Sequence, residues 1–570
     1  MRHYLIFILL LNLCINCKAQ DIDWKSNTSP SYAELIEFYK KCAKENKSVE
    51  LYNMGNSDAG IPIYLCIYNG AGDSLKTFQK ARKSTTLLVN NAIHAGEPDG
   101  VNASAMWLLN LLKEKPNVND PLIAIIPAYN VGGMLNRNST SRANQDGPEV
   151  YGFRGSARNY DLNRDFIKMD AQNSFTFAKI FHALDPDVFV DTHVSNGADY
   201  TYTLTYISSM KERMAPSIKE ITYGVLLPEL NQKVTLYPYV ELKGRTPEDG
   251  IVAFNDLPRY AMGYANLFNS ISFTVETHML KPFPERVLST YDFINELHLW
   301  LKLNSKKVEL AREHAVLYQK QQEYFKFNYT LSSVADSILF KGYKATYPVH
   351  PVTQLPRLNY DRKQMYEQYI PFYNLHFPKD SIRIPDFYIL KGSELEVINR
   401  LKQNEVVLER IIKGSTWLDR NYFRNVEIKS FQSYTKPYEG HFKHHTIEVD
   451  SKLILGGVSV GDYVISTQQN KRLFICSVLE PLAEDSYFSW NFFDSYLQQK
   501  EYFSSYVFID KIAEILANDP SLKQLYEEKK KNNQEFRESE TLQLNFIYEH
   551  SAYFEPSYMK LPILKFFKTK

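Results

Sequence analysis

Cysteine is scarce in this sequence, with five in 570 residues. Cys14 and Cys17 fall within the first twenty positions, and Cys42, Cys66 and Cys476 lie far apart. Three such residues do not make the disulfide framework of a small secreted scaffold. No Cys-x-x-Cys occurs beyond residue 20, which argues against a thiolate zinc site, so any metal should be held by imidazole and carboxylate. An excess of charge of one sign is also lacking. The 66 basic side chains face 65 acidic ones, and losing Arg2 and Lys18 with residues 1–20 leaves 64 against 65. Neither nucleic acid nor an anionic membrane surface is favoured by that balance. Internal repeats, long low-complexity segments and, past residue 20, any transmembrane run are missing as well.

What is present is a large apolar and aromatic complement, 44% hydrophobic with 40 Tyr and 34 Phe. Disordered chains are poor in such residues, so the chain is expected to fold, into two or three domains. Arg2 and His3 precede the short apolar run Tyr4–Leu11, and small or polar residues follow to Ala19 and Gln20. This reads as an export signal over 1–20, placing the protein in the periplasm or outside the cell. Leu13 and Asn16, before the two early cysteines, do not suit lipid attachment. The expected organisation continues with a catalytic domain over 21–328, a linking segment rich in Pro and Tyr over 329–390, and an accessory domain over 391–570. In that last region Phe387–Leu390 and Ser393–Lys402 suggest a strand and a helix. Val426–Ile428, Thr446–Val449, Asp462–Ser466 and Arg472–Val478 suggest a β-rich unit.

Between residues 85 and 310, short β-branched runs alternate with helical stretches. Thr85–Asn90, Leu122–Pro127, Val188–Thr192 and Ser270–Glu276 read as strands, and Asp99–Glu114 and Ser174–Leu184 as helices. Such alternation predicts an α/β fold with a mostly parallel sheet flanked by helices. Ligands of open α/β sheets bind beyond the carboxyl ends of the strands. His94 and Glu97 follow the first run, Asn130 the second and His193 the third, while Glu276 closes the fourth. Four strand ends should therefore converge on one polar rim.

An imidazole and a carboxylate three residues apart reach one ion only if the backbone turns between them, and Ala95 and Gly96 are small enough to allow it. With His193 as a third ligand the set is His₂Glu, which suits one zinc ion and leaves a position open for water. Asp191, two residues before His193, shares its face of the strand and can orient its ring. The blander readings are a solvated surface pair at 94 and 97 and a capped core histidine at 193.

His94-x-x-Glu97, the segment Asp161-Leu-Asn163-Arg164, His193 and Glu276, in that order, resemble the zinc metallocarboxypeptidases related to carboxypeptidase A. The strings Asn136–Gln145 and Tyr151–Asp165 resemble a bacterial branch with a carboxyl-terminal extension. The resemblance covers residues 30–310. It implies a central mixed, mostly parallel sheet, one Zn2+ on His94, Glu97 and His193, and Glu276 as general base acting with metal-activated water. It also implies a substrate peptide whose free carboxylate is gripped by Asn163 and Arg164, with Asp161 orienting a ligand histidine. The family's oxyanion arginine has four candidates, Arg137, Arg142, Arg154 and Arg158, of which Arg142 is chosen. Its mobile tyrosine has two, Tyr260 and Tyr264, and Tyr260 with Arg259 is taken for substrate contact. Asn130–Gly133 departs from the family's usual loop. For Glu276 the plain alternative is pairing with His278 or Arg286.

Two readings compete: a carboxypeptidase acting on extracytoplasmic peptides, and an inactive peptide- or glycan-binding protein on the same fold. His441, His444 and His445 are read as solvated or structural before a second metal site. The aromatic run Tyr487–Phe493 is read as core.

Overall fold

Thr86–Asn90, Leu122–Ile126 and Val188–Ser195 are buried along their whole length. Strands covered by helices on both faces read as continuous apolar runs of this kind. The structure, a computed structural model, describes residues 23–418 and 421–568. The proposed export signal lies outside these residues. No described helix is long and apolar enough to cross a membrane.

The chain divides into two units: residues up to Gln321 with Tyr329–Pro378, and Gln322–Asn328 with everything from Lys379 on. The first unit is built on an eight-stranded sheet. Across it run Val49–Asn56, Pro62–Tyr68, Leu122–Ile126, Thr86–Asn90, Val188–Ser195, Ile271–His278, Leu204–Ser208 and Tyr237–Pro238. The four strands at positions three to six are mutually parallel, antiparallel pairs join them to the flanking strands, and Tyr237–Pro238 adds parallel to Leu204–Ser208 at one edge. The sheet is therefore mixed and mostly parallel at its centre, as the alternating pattern predicts. Thr86–Asn90 sits between Leu122–Ile126 on one side and Val188–Ser195 on the other, so chain order reverses there. A crevice opens at such a switch point.

Helices Asp99–Leu111, Gln172–Leu184 and Phe283–Gln321 cover the sheet. The last of these includes most of the amphipathic stretch expected at 305–324. A buried charge ties this frame together. Arg286 donates to Asp99 Oδ1 at 2.7 Å with both side chains at most 1% exposed, and to the carbonyls of Asp146 and Gly147 at 2.6 and 2.9 Å. Arg286→Met leaves Asp99 buried without its partner. It is expected to lower stability by about 3–5 kcal/mol, read from denaturant unfolding.

The segment expected to link two domains over 329–390 is instead paired structure. Asp336–Thr346 and Asn359–Tyr373 form an antiparallel hairpin that continues onto Ile251–Val252. Phe340 and Ile370 from this hairpin pack with Tyr200, Tyr202 and Tyr237. Its prolines and tyrosines suggest extended chain, but the alternate apolar positions bury a face, and that places 329–378 in the first unit.

The second unit holds a six-stranded antiparallel sheet that includes Phe387–Leu390, Tyr422–Ser433, His444–Leu455, Tyr463–Ser466 and Lys560–Phe566. Arg472–Leu479, read from sequence within a β-rich unit, is a helix with nearly every residue buried. A short apolar run buried all round carries no period to separate strand from helix. Tyr487, Phe488, Trp490 and Phe493 are core residues, each at most 1% exposed.

Candidate active site

The rim begins where Thr86–Asn90 ends. The chain turns through Ala92, whose φ of 58° lies in the left-handed region, and Glu97 N–H bonds back to His94 carbonyl at 2.9 Å. Gly96 is required here, because a Cβ would meet the Arg142 side chain at 2.6 Å and Gly152 carbonyl at 3.0 Å. Asn130 caps the helix Val131–Leu135, and its amide donates to the carbonyls of Ile93 and Arg154 at 3.1 and 2.9 Å. It thus pins two loops of the rim.

His94 and His193 both turn Nδ1 toward Glu97, each 3.1 Å from a different carboxylate oxygen. Their Nε2 atoms are occupied elsewhere, His94 by Asp161 at 3.0 Å and His193 by Asp191 at 2.6 Å. With a metal bound, a carboxylate on Nε2 would keep the proton there and turn the Nδ1 lone pair inward. One donor atom from each of the three residues falls within 4.8 Å of the others, and all three residues are buried. Two imidazole nitrogens and a carboxylate converging on one point are the donor set that suits zinc. Among the described residues no other cluster of this kind occurs.

The strand register places the fourth group. Ile271–His278 runs parallel to Val188–Ser195, with Glu276 paired to His193 and Thr274 to Asp191. These four residues therefore share one face of the sheet. Among the described residues the Glu276 carboxylate has no hydrogen-bond or ion-pair partner. His278 bonds Ala198 carbonyl at 2.8 Å instead, and Arg286 is taken by Asp99. Burial raises Glu276 from 4.5 to about 7, opposed by His193 and reinforced by Glu97. Burial also acts to raise Glu97, but His94 and Arg142 outweigh it and hold that carboxyl well below its usual range. For His193, burial acts to lower the imidazole and Asp191 overrides it, so the ring is held well above 6.5.

His94, Glu97, Arg142, His193 and Glu276 line one cavity of about 460 Å3 with Asn163, Arg164 and Tyr260. Asn163 Oδ1 accepts from the Ala261 N–H at 3.0 Å. The Arg164 guanidinium lies over the Tyr260 ring at 4.5 Å. Asp161 caps the turn that holds both, accepting from Asn163 N–H at 3.0 Å. The structure also sorts the arginines. Arg142 donates to Glu97 Oε1 at 2.8 Å, and Arg154 grips Asp161 Oδ2 at 3.1 and 2.8 Å; both line the cavity. Arg137 is bound to the carbonyls of Ser29, Pro30 and Val150, and Arg158 to Asp170 carbonyl, away from it.

One expectation meets a different arrangement. Arg259, read as a substrate contact, is 4% exposed and is not among the cavity's lining residues. The turn before Ala261 directs Tyr260 to the cavity and leaves its neighbour in the interior. Tyr264 is also buried and bonds His182 at 3.0 Å. Sequence reading passed over Asn90, which donates to Asp191 at 3.1 Å, and over Tyr239 and Phe254, which line the cavity. Only their position near strand ends hints at them. In the second unit, His444 is engaged by Ser433 at 2.8 Å and Asp494 at 2.9 Å, and His445 by Thr446.

No protein-family model and no curated protein sequence matches this chain. Solved structures do match over about half of it. A metallo-carboxypeptidase from Burkholderia cenocepacia aligns at 13% identity and TM-score 0.36, over 48% of this chain and 70% of its own. One from Pseudomonas aeruginosa aligns at 13% and 0.36, over 49% and 70%. Carboxypeptidase A from Helicoverpa armigera aligns at 16% and 0.35, over 51% and 75%. These are proteins of the kind the motif order resembles. The chemistry is read from this chain's own residues.

Proposed function

We propose that the chain is a zinc-dependent metallocarboxypeptidase that removes residues from the free carboxyl end of extracytoplasmic peptides. The observation that carries this is one cavity holding His94, Glu97 and His193 around a common point, Glu276 on the adjacent strand, and Arg164 beside Tyr260. His94, Glu97 and His193 hold the ion. When bound, zinc supplies a Lewis acid that polarises the scissile carbonyl and acidifies water.

The protein's own groups do the rest. Arg164 presents a planar fork to the substrate's terminal carboxylate, with the Tyr260 face limiting its rotamers and Asn163 beside it. This sets how far the chain end reaches and so which amide lies over the ligands. Glu276 takes a proton from the attacking water and passes it to the departing amine. Arg142 and Arg154, at the rim, are the guanidiniums available to the carbonyl oxygen as it gains charge. With the imidazoles neutral and every carboxylate ionised, as a bound dication would require, the guanidiniums of Arg142, Arg154 and Arg164 beside Glu97, Asp161, Asp191 and Glu276 count one charge negative before the ion is added. A dication brings the count to one positive, which favours an anionic chain end.

Mass spectrometry of peptides incubated with the zinc-loaded protein tests the reading. Stepwise loss from the carboxyl end is expected, with no cut in carboxyl-amidated peptides. Arg164→Ala is expected to raise KM for free-acid peptides, costing about 1.5–3 kcal/mol of binding. Internal cleavage, or equal action on amidated peptides, would contradict it.

A further inference from the structure

The hairpin of Asp336–Thr346 and Asn359–Tyr373 lies outside the strands that carry the catalytic groups, yet it reaches the residues that follow two of them. After His193 the chain runs through Ser195 and Asn196, which line the cavity, to Asp199. After Glu276 it runs through Met279, another lining residue, to Leu280. Met279 N–H joins the two exits by donating to Ser195 carbonyl at 3.1 Å. Beyond that bond, Asn196 and Gly197 are exposed and lie outside the strand pairing. The next anchored residues are Ala198, held by His278 at 2.8 Å, and Asp199.

One guanidinium from the hairpin spans both exits. Arg362 Nε donates to Asp199 Oδ2 at 2.6 Å, and its Nη2 to Leu280 carbonyl at 3.1 Å. Asp199 is 5% exposed, and its second oxygen lies 3.7 Å from Lys281 Nζ. A carboxylate this buried depends on such partners. The hairpin is itself seated on the same segment. Lys341 carbonyl accepts from Thr201 N–H at 3.2 Å, and Phe340 packs with Tyr200 and Tyr202.

We propose that Arg362 is a positioning residue for the catalytic cavity. Its guanidinium ties Asp199 to Leu280 and so sets the wall made by Ser195, Asn196 and Met279. A planar fork can hold two separate acceptors at fixed angles, where an ammonium acts as a point charge. The proposal rests on the peptidase reading above and gives the hairpin a part in it.

The test uses the zinc-loaded full chain and free-acid peptides. Arg362→Leu is expected to keep one zinc per chain and to raise KM by about tenfold, with kcat changed by less than about threefold. Partial unfolding acts differently, lowering the active fraction and so the apparent kcat at an unchanged KM. Arg362→Lys should fall between the leucine variant and the wild type. Arg362→Leu also leaves a buried carboxylate short of a partner, so its Tm should drop. Adding Asp199→Asn removes that charge, and Tm should recover while KM stays raised, because the tie to Leu280 is still missing. Lys363→Leu, which removes a charge one residue away, should leave kcat/KM within about twofold of the wild type. An unchanged KM in Arg362→Leu, a KM restored together with Tm in the double variant, or loss of zinc from either overturns the positioning role alone. Cleavage of no peptide by the wild type overturns the peptidase reading, and this role with it.

Discussion

Replacing His193 with alanine is expected to remove the metal ion and hydrolysis together. His193 supplies one of only three convergent donors, and two remaining ligands do not make a closed zinc site. Zinc content measured by plasma emission should fall from one ion per chain to near zero, and kcat/KM by on the order of 10⁴-fold or more. Asp191→Asn gives the contrast. It keeps all three donors but weakens the contact that fixes the His193 ring at 2.6 Å. Zinc affinity should fall by about 10–100-fold, with activity restored by excess zinc. If His193→Ala keeps its zinc, the ligand assignment is wrong. If Asp191→Asn behaves like His193→Ala, that carboxylate does more than orient.

Glu276→Gln is expected to keep the zinc and lose turnover by about 10²–10⁴-fold, because the amide cannot accept a proton. The same change should leave peptide binding close to normal, which separates a base from a binding residue. A protein that binds peptides without cutting them gives wild type and variant the same inactivity, so this comparison also decides between enzyme and binding module. The variant carries a second signature in the chelator-treated protein. Folding raises this carboxyl from 4.5 to about 7. Its contribution to stability is thus fully present below 4.5 and is lost as pH rises through about 7. Glutamine has no charge to bury, so above pH 7 the treated variant should unfold at higher denaturant than the treated wild type. Near pH 4 the two should converge. A variant less stable at pH 8 would mean that the carboxylate is held by partners other than those described.

The polar rim was legible because a parallel sheet delivers the carboxyl ends of its strands to one edge. His94, Glu97, His193 and Glu276 each follow or close a β-branched run, and the observed register pairs Glu276 directly with His193. Asp191 was legible too, as a carboxylate on the same strand face as His193, while Asp161 was marked only by the motif resemblance. The arginines were not separable, since four occupy one interval and only tertiary contacts send Arg137 and Arg158 to backbone carbonyls. Arg259 and Tyr260 are adjacent, yet one lies inside and the other lines the cavity. Residue spacing in an irregular turn does not fix that choice. The hairpin over 336–373 was hidden by its composition, because Pro and Tyr suggest extended linking chain until a partner face is known. Arg472–Leu479 was misread for the opposite reason, since complete burial erases the period that marks a helix.

Anomalous diffraction from crystals of the full chain, collected above and below the zinc absorption edge, tests the central claim most directly. The account predicts a single strong peak bonded to Nδ1 of His94, a carboxylate oxygen of Glu97 and Nδ1 of His193, with Glu276 alongside and not bound. A peak held by other residues, or none after zinc loading, would contradict it.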